Sequence, residues 1–189
     1  ICEGLVGSEM CIRDSYLWIQ YFYSYLNDNG RAGFVMASSA SDAGHSEKTI
    51  RKELVETGAV DVMVSIANKF FYSVTLPCSL WFFDRAKAKD PEKADKTLML
   101  DLRNVFLKVS SALHDFTEEQ LESIHAIVNL YRGDKTLLNV LIDRYTKEGK
   151  AEELEWLTSR FPDGVYADVK GLCKVCLLYT SDAADELRS

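Results

Sequence analysis

The sequence has little of what would suit it to a membrane, a metal ion or a polyanion. It has no uninterrupted run of about 18 or more apolar residues and no recognisable signal peptide, so nothing in it points to a membrane. Its 22 basic and 29 acidic residues give a net charge of -7, and the basic residues form no cluster of the kind that binds phosphates. Charge alone therefore gives no indication of nucleic-acid binding.

The two ends of the chain are related at the level of DNA. One legal coding of residues 9–15, AGATGTGTATAAGAGACAG, has the reverse complement CTGTCTCTTATACACATCT, which encodes residues 176–181 when read from its second base. The string also resembles the transposon end used in tagmentation sequencing libraries. Residues 1–15 and 176–189 are therefore predicted to be translated adapter and barcode, with two ordinary peptides as the alternative. On this prediction the apolar side chains at the ends make few contacts. They are Met10, Ile12, Leu177 and Leu178.

Few residues are arranged for binding a metal or a phosphate. The histidines, which share no ligand spacing, are His45, His114 and His125. Cys173 and Cys176 have the spacing of a zinc or redox pair, but Cys176 lies in the predicted adapter, so the pair is set aside. Cys78 and Cys173 then remain without an evident partner, which suits a reducing cytoplasm. Ser38–Ser41 lacks the glycines and lysine of a phosphate loop, and Asp61 is predicted to lie at a strand edge rather than to act in catalysis.

Helical and strand patterns alternate over the first third of the chain. Residues 16–28 are apolar on most faces, which predicts a well-buried helix ended by Asn29-Gly30. Gly33–Ala37 and Val60–Ile66 are short apolar runs typical of strands buried on both faces, and a helix that begins at Ser46 lies between them. Helix, strand, helix and strand with short links predict an α/β doubly wound sheet.

The order of elements changes after residue 66. An aromatic loop, Asn68–Thr75, leads to a strand at Leu80–Phe83 with no helix between, so this strand is predicted to run antiparallel to the one before it. A further strand is predicted at Thr97–Leu102. Thr117–Gln120 has the pattern of a capping box, which opens a helix. Later segments are predicted as helices at residues 134–148 and 150–160 and a loop at 161–175.

Several short segments of this sequence resemble, in order and spacing, motifs of the modification-subunit family of type I restriction-modification systems. The most specific is FFYSVTLPCSLWFF at Phe70–Phe83. The others are Gly30–Ala37, Ile50–Lys52, Asp115–Gln120, Tyr131–Gly133, Pro162–Val165 and Gly171–Lys174. The resemblance implies the carboxyl-terminal part of a class I methyltransferase (Rossmann-like) sheet with an antiparallel last strand, followed by helices. It implies the carboxyl-terminal half of a methyltransferase domain at residues 16–115 and a helical, partner-docking tail at 116–175.

The same resemblance implies a function and identifies what the chain lacks. Family members are DNA adenine-N6 methyltransferases that hold S-adenosylmethionine with a glycine-rich turn and the target amine with an Asn-Pro-Pro-Phe tetrad. This sequence contains no Asn-Pro pair. We therefore expect S-adenosylmethionine to be bound by a missing upstream part, and the fragment alone to hold no catalytic residue and to be inactive. The implied partners are DNA and the specificity and restriction subunits, in the cytoplasm and without a membrane.

Phe71 and Tyr72 form the predicted target-base site. A methylase reaches a stacked adenine only by flipping it out of the duplex, and the flipped base needs an aromatic face. The resemblance implies that the loop before the last strand supplies one such face, with Phe71 stacking on the base and Tyr72 beside it. Phe70 is predicted to be a core residue and Cys78 a small buried hydrophobe. The alternative is that all three adjacent aromatics belong to the core.

Two other functions stay open at this point. The helices after Asp115 could form a subunit-interaction module without activity of its own. The chain could also be a fragment of an unrelated Rossmann-like enzyme such as a dehydrogenase. The upstream sequence separates the two enzymes, because a methylase has an Asn-Pro-Pro-Phe tetrad there and a dehydrogenase has a dinucleotide-binding turn.

Overall fold

The computed structural model describes residues 18–38, 46–72 and 75–177. The helices are α1 (residues 18–24), α2 (Ser46–Glu56), α3 (Glu118–Tyr131), α4 (Thr136–Glu148) and α5 (Ala151–Arg160), with a short 3-10 turn at Lys87–Lys89. The strands are β1 (Arg31–Ala37), β2 (Val60–Ile66), β3 (Cys78–Asp84), β4 (Lys96–Leu102), β5 (Leu107–Lys108), β6 (His114–Asp115) and β7 (Cys173–Leu177). None of the helices within these ranges is both long and apolar enough to cross a membrane.

Five of the strands form one sheet, in the order β1, β3, β2, β4 and β7. β3 lies between β1 and β2 and is antiparallel to both, with Trp81 opposite Phe34 on one side and Met63 on the other. β1 and β2 therefore run in the same direction, and the strand that arrives without a crossover helix separates them. This confirms the predicted antiparallel strand and gives the position in the sheet that the pattern alone did not supply.

The chain divides into two compact units, and the first comprises Ile1–Ile66, Leu76–Met99 and Val175–Ser189. Its core joins the apolar stripes of α1 and α2 to the central strands. The buried members are Ile19, Met36, Leu54, Val60, Met63, Trp81 and Phe83. The indole N–H of Trp81 donates to Ser79 Oγ (3.2 Å), which satisfies the ring's single polar atom inside the core.

α1 and β1 are less buried than the sequence predicts. Only one stripe of α1 packs on the core, while Trp18 is 61% exposed and Tyr25 is 86% exposed. β1 is the end strand of the sheet, and Val35 within it is 50% exposed. The prediction of a well-buried helix and of a strand covered on both faces is therefore wrong for this chain. An apolar composition on all faces indicates that a segment can be covered, but the covering elements must also be present.

The second unit comprises Ala67–Thr75 and Leu100–Lys174 and contains α3, α4, α5 and the β5–β6 hairpin. The capping box at the start of α3 is confirmed: Thr117 Oγ1 accepts from the Gln120 backbone N–H (3.2 Å), and Gln120 Oε1 accepts from the Thr117 N–H (3.0 Å). Glu122 on α3 accepts hydrogen bonds from Arg144 and Tyr145 on α4. The predicted helices at residues 134–148 and 150–160 are confirmed as α4 and α5.

β7 is a strand where the sequence predicts the end of a loop. Cys173 and Cys176 are buried in it, whereas Leu177 is largely exposed. The loop prediction is wrong at the last three of its positions, because the backbone of these residues pairs with the sheet. The strand does not decide the origin of residues 176–189, and the adapter assignment stays a prediction. Met10, Ile12 and Leu178 lie outside the described residues.

Candidate functional site

Two aromatic side chains stand exposed on the loop that connects β2 to β3. Phe71 is 38% exposed and Tyr72 is 95% exposed. Apolar rings are ordinarily covered in a folded chain, so two neighbouring exposed rings form a candidate binding surface. These are the two residues that the sequence predicts as the target-base site.

Phe70, the residue before them, is packed instead. Its ring centroid lies 4.7 Å from that of Phe116 and 6.3 Å from that of His114. The side chain is half-buried, so Phe70 belongs to a small aromatic cluster of the second unit rather than to a large core. The three adjacent aromatics therefore have two different roles, one in packing and two at the surface.

The backbone just before the exposed rings is held by the β5–β6 hairpin. The Lys69 carbonyl accepts from the His114 backbone N–H (2.8 Å), and Lys69 Nζ donates to the Ser111 carbonyl (2.7 Å). Lys69 has a φ of 67°, a left-handed conformation that a residue with a Cβ rarely adopts. The loop is therefore held by the hairpin at Lys69, where its backbone is strained.

His114 adds a third link between the hairpin and the loop. Its Nδ1 lies 2.9 Å from the Asn68 carbonyl oxygen, and because a carbonyl only accepts, Nδ1 carries the proton. The ring stacks on Phe106, with centroids 4.1 Å apart and planes 16° apart. The side chain is buried, so the hydrogen bond and the stacking together fix its orientation. Sequence reasoning missed this residue, since nothing in its neighbourhood marks a partner 46 positions away.

Cys78 and Pro77 sit where the loop enters β3. Cys78 is buried, and burial raises the pKa of its thiol, which makes it a poor nucleophile. This agrees with the prediction of a small buried hydrophobe. The Pro77 carbonyl accepts from the Ser38 backbone N–H (3.1 Å), which pins the loop's far end.

The residues that the sequence excluded from a metal site are not brought together. His125 is exposed on α3 and His114 lies in the hairpin, while His45 falls outside the described residues. Cys173 and Cys176 are three positions apart in one strand, so their side chains leave opposite faces of the sheet. Within the described ranges, no group of three or more His, Cys, Asp or Glu side chains could hold a metal ion.

Asp61 is buried inside the sheet, which corrects the prediction that it lies at a strand edge. It occupies a bulge, because the pairing of β2 with β3 shifts register between Val60 and Val62. Lys87 is buried near it and donates to the carbonyls of Gly58 (3.0 Å) and Val60 (2.8 Å). Burial lowers the pKa of Lys87, and nearby carboxylates, Asp61 first among them, oppose that shift. The bulge supplies the physical reason for a polar residue in a buried strand.

The second unit also contains a pocket of about 450 Å³ between α3 and α5. Its apolar lining includes Trp156 and Leu172, and its acidic lining includes Glu119, Glu152 and Glu153. Glu119 accepts from Lys150 Nζ (2.7 Å), and that hydrogen bond lowers the pKa of the Glu119 carboxyl to about 2. The pocket thus combines an aromatic surface with carboxylates, a pairing suited to a basic or aliphatic side chain.

The sheet defines the class of fold. An antiparallel strand inserted beside two strands of common direction is the arrangement of class I methyltransferases, and a solved example matches. The methyltransferase subunit of a type I restriction-modification system from Streptococcus thermophilus superposes with a TM-score of 0.53 over 60% of this chain and 23% of that one. At 22% sequence identity this likeness establishes the fold alone.

The chain belongs to the N-6 DNA Methylase family, whose model matches residues 9–155. It is 38% identical over 110 residues to the type I restriction enzyme MjaIX methylase subunit of Methanocaldococcus jannaschii, across 58% of this chain and 19% of that protein. It is 29% identical over 111 residues to the MjaVIII methylase subunit of the same organism, across 58% and 18%. The predicted family and fold class are confirmed, and the chain spans about a fifth of the length of these relatives.

S-adenosylmethionine, which this family implies, does not fit the residues present. The turn after β2 has Asn68 and Lys69 rather than glycines, and Lys69 itself takes the left-handed φ that a glycine would otherwise supply. No glycine-rich turn follows any of the strands in the described ranges. A glycine-rich turn allows a cofactor to approach the backbone closely, and without such a turn no step of the reaction is assigned to the cofactor in this chain.

Proposed function

We propose that the whole protein is a DNA adenine-N6 methyltransferase subunit of a type I restriction-modification system, and that this chain supplies the surface on which the flipped adenine stacks. The observation that carries the proposal is the exposure of Phe71 and Tyr72, in a member of the N-6 DNA Methylase family, on the loop that precedes the antiparallel strand. The match to the N-6 DNA Methylase family argues against the dehydrogenase alternative.

The geometry suits a base in two ways. Phe71 is partly covered, so its ring is held in place yet keeps an open face. Tyr72 stands almost wholly in solvent, where it can close over the same base. Stacking of a base on such a ring contributes about 1–3 kcal/mol, which offsets part of the few kcal/mol that extruding the base from the duplex costs.

The remaining parts of the reaction are proposed to lie outside this chain. S-adenosylmethionine supplies the methyl group, and the residues that bind it and hold the adenine amine are expected upstream, in the Asn-Pro-Pro-Phe tetrad and a glycine-rich turn. The role of this chain is therefore to orient the base and to keep water from its exposed face. The protein is proposed to act in the cytoplasm.

The partners are proposed to be DNA together with the specificity and restriction subunits of the same system. The chain has no basic cluster, which is consistent with DNA recognition by another subunit. The helices α3 and α5 offer the docking surface, because their pocket joins Trp156 to three carboxylates and fits a basic side chain of a partner.

The enzymatic proposal is tested with the parent gene, which is sequenced past both ends of the segment at residues 16–175 and expressed with its specificity subunit. N6-methyladenine in the host DNA is measured by mass spectrometry after nuclease digestion. We expect methylation that depends on both subunits and on an upstream tetrad. A complete protein that has the tetrad and folds, yet methylates no adenine, would falsify the proposal.

The docking proposal is tested separately by reversing one charge in the pocket. Glu153→Lys should weaken assembly with the specificity subunit, measured by analytical ultracentrifugation of the mixed subunits. Glu155→Lys makes the same change on the same helix, outside the residues that line the pocket. Equal assembly by both variants and by the unaltered protein would remove the pocket from the interface.

A further inference from the structure

We propose that the β5–β6 hairpin positions the base-stacking loop, and that His114 is the positioning residue through which it acts. This inference rests on the proposed function, since it assigns a role in presenting Phe71 to the flipped adenine. The residues to which it assigns this role, 106–116, follow β4 and are far from the loop in sequence.

The hairpin contacts the three residues that precede the exposed rings. Asn68 is held through its carbonyl, Lys69 through its carbonyl and its ammonium group, and Phe70 through its ring. Each partner belongs to the hairpin or its flanks. The hairpin therefore fixes three successive residues and leaves Phe71 to project from a rigid base. A ring on a fixed stem loses less conformational freedom when a ligand stacks on it.

The left-handed backbone of Lys69 makes this support necessary. A residue with a side chain leaves that conformation when its partners are removed, because the steric conflict with its Cβ is then no longer offset. A relaxed Lys69 would turn the following backbone and carry the Phe71 ring away from its present direction. The hydrogen bonds from His114 and to Ser111 oppose that change.

His114 is suited to this role by having two separable functions in one side chain. Its Nδ1–H donates to the loop, while its flat ring fills the space between Phe106 and Phe70. His114→Phe keeps a flat ring and removes the donor. His114→Asn keeps a donor close to the Nδ1 position and removes the ring.

The test uses the complete methylase with its specificity subunit and a duplex that contains its recognition site. That site is read beforehand from the methylated positions in host DNA. His114→Phe should lower kcat by about three- to tenfold, as expected for one lost buried hydrogen bond, with little change in KM for DNA. His114→Asn should recover most of that loss. Melting temperature is measured for each variant.

A spectroscopic readout separates positioning from stability. With 2-aminopurine in place of the target adenine, Phe71→Ala changes the emission of the bound duplex because the base loses its stacking partner. His114→Phe should shift that emission in the same direction. A purely structural role would lower melting temperature and the active fraction together, without moving the emission per bound complex.

A second pair of variants guards against failure of His114→Phe to fold. Lys69→Met removes the donor to the Ser111 carbonyl at a partly exposed position, and Lys170→Met removes the same charge at an exposed position of the second unit, outside the hairpin and the loop. We expect Lys69→Met to lower kcat and Lys170→Met to leave it unchanged. Equal effects of the two would indicate a general effect of lost charge rather than lost positioning, and would overturn the inference.

The outcomes distinguish this inference from the proposed function. Phe71→Ala with undiminished methylation removes the base-stacking site, and the positioning role with it. Loss of methylation in Phe71→Ala, together with unchanged kcat and emission in His114→Phe and Lys69→Met, overturns the positioning role alone.

Discussion

Phe70, Phe71 and Tyr72 are adjacent in sequence, and Phe70 packs against other rings while Phe71 and Tyr72 are exposed. We expect Phe71→Ala in the complete methylase to remove about 1–3 kcal/mol of support for the flipped adenine. That loss corresponds to a roughly 5- to 150-fold decrease in methylation, since about 1.4 kcal/mol is a tenfold change in rate. Melting temperature should change little, because a ring at an open surface leaves no closed cavity. A Phe71→Ala protein that melts early while its folded fraction stays fully active would contradict the site.

Phe70→Ala is the matched comparison at the neighbouring position. It removes the ring from its contact with Phe116, so its main effect should be on the free energy of unfolding, measured by urea titration. The loss should be smaller than the roughly 3–5 kcal/mol typical of a fully buried phenylalanine, because Phe70 is half-buried. A stability equal to that of the unaltered protein would contradict the packing role.

At the residue scale, the candidate site was predicted from the family resemblance more than from the pattern of apolar and polar residues. Nothing in a run of three aromatics says which one will be covered, because the cover for Phe70 comes from Phe116, 46 positions later. Asp61 was misplaced for a related reason: a polar residue in a strand pattern indicates an edge or a bulge, and only pairing distinguishes them. The buried Lys87 went unnoticed, because its partners are backbone carbonyls of another segment.

At the scale of elements, the capping box of α3 gives a test of local stability. Thr117→Ala removes the side-chain acceptor for the Gln120 N–H and should cost about 0.5–2 kcal/mol of unfolding free energy. Thr117→Ser keeps the hydroxyl and should retain most of the stability. Urea titration of the unaltered protein and the two variants measures these free energies of unfolding. An alanine variant as stable as the serine variant would mean that the capping box does not stabilise the fold.

The ion pair between α3 and the residue before α5 predicts a pH dependence. The Lys150 hydrogen bond lowers the pKa of Glu119 from an ordinary 4.5 to about 2, so the pair stabilises the folded state fully above about pH 4.5. Its contribution is lost as the pH falls from there to about 2. Glu119→Gln should therefore lower the melting temperature near neutral pH, and the difference from the unaltered protein should vanish in acid. Glu118→Gln, which removes the same charge one position away, is the control.

The element boundaries show which patterns carry physical information. Strands β2, β3 and β4 and helices α3 to α5 were predictable, because each has an apolar pattern of its own or a cap. The β5–β6 hairpin has two residues in each strand, too few for any alternation to be recognised. The degree of burial of α1 and β1 was not predictable, since burial depends on what packs against an element.

For the molecule as a whole, the isolated chain should not bind S-adenosylmethionine. The residues that would form a glycine-rich turn are absent, and the affinity that such a turn supplies cannot come from other parts of the chain. Isothermal titration at micromolar protein should give no saturable heat, whereas the complete methylase should bind. Saturable binding by the chain alone would overturn the assignment of the cofactor to an upstream part.

The class of fold was predicted through the family resemblance, because hydrophobic periodicity alone does not separate it from other open α/β sheets. The missing crossover helix predicted only the antiparallel direction of β3. The insertion of β3 between β1 and β2 was not predicted, since hydrophobic periodicity carries no information on the order of strands. The division into two compact units was not predicted at all, because it depends on which long-range contacts form.

The open side of β1 has a consequence for handling the isolated chain. β1 is the end strand of the sheet in the described residues, and with a half-exposed Val35 and the exposed rings of α1 beside it, it is a template for another copy of itself. We expect concentration-dependent self-association and precipitation when the chain is expressed alone, measured by light scattering. Val35→Lys should suppress it, since a charge on such a strand opposes edge-to-edge pairing. Recovery of this chain in soluble form would then depend more on protecting one strand than on the stability of its core.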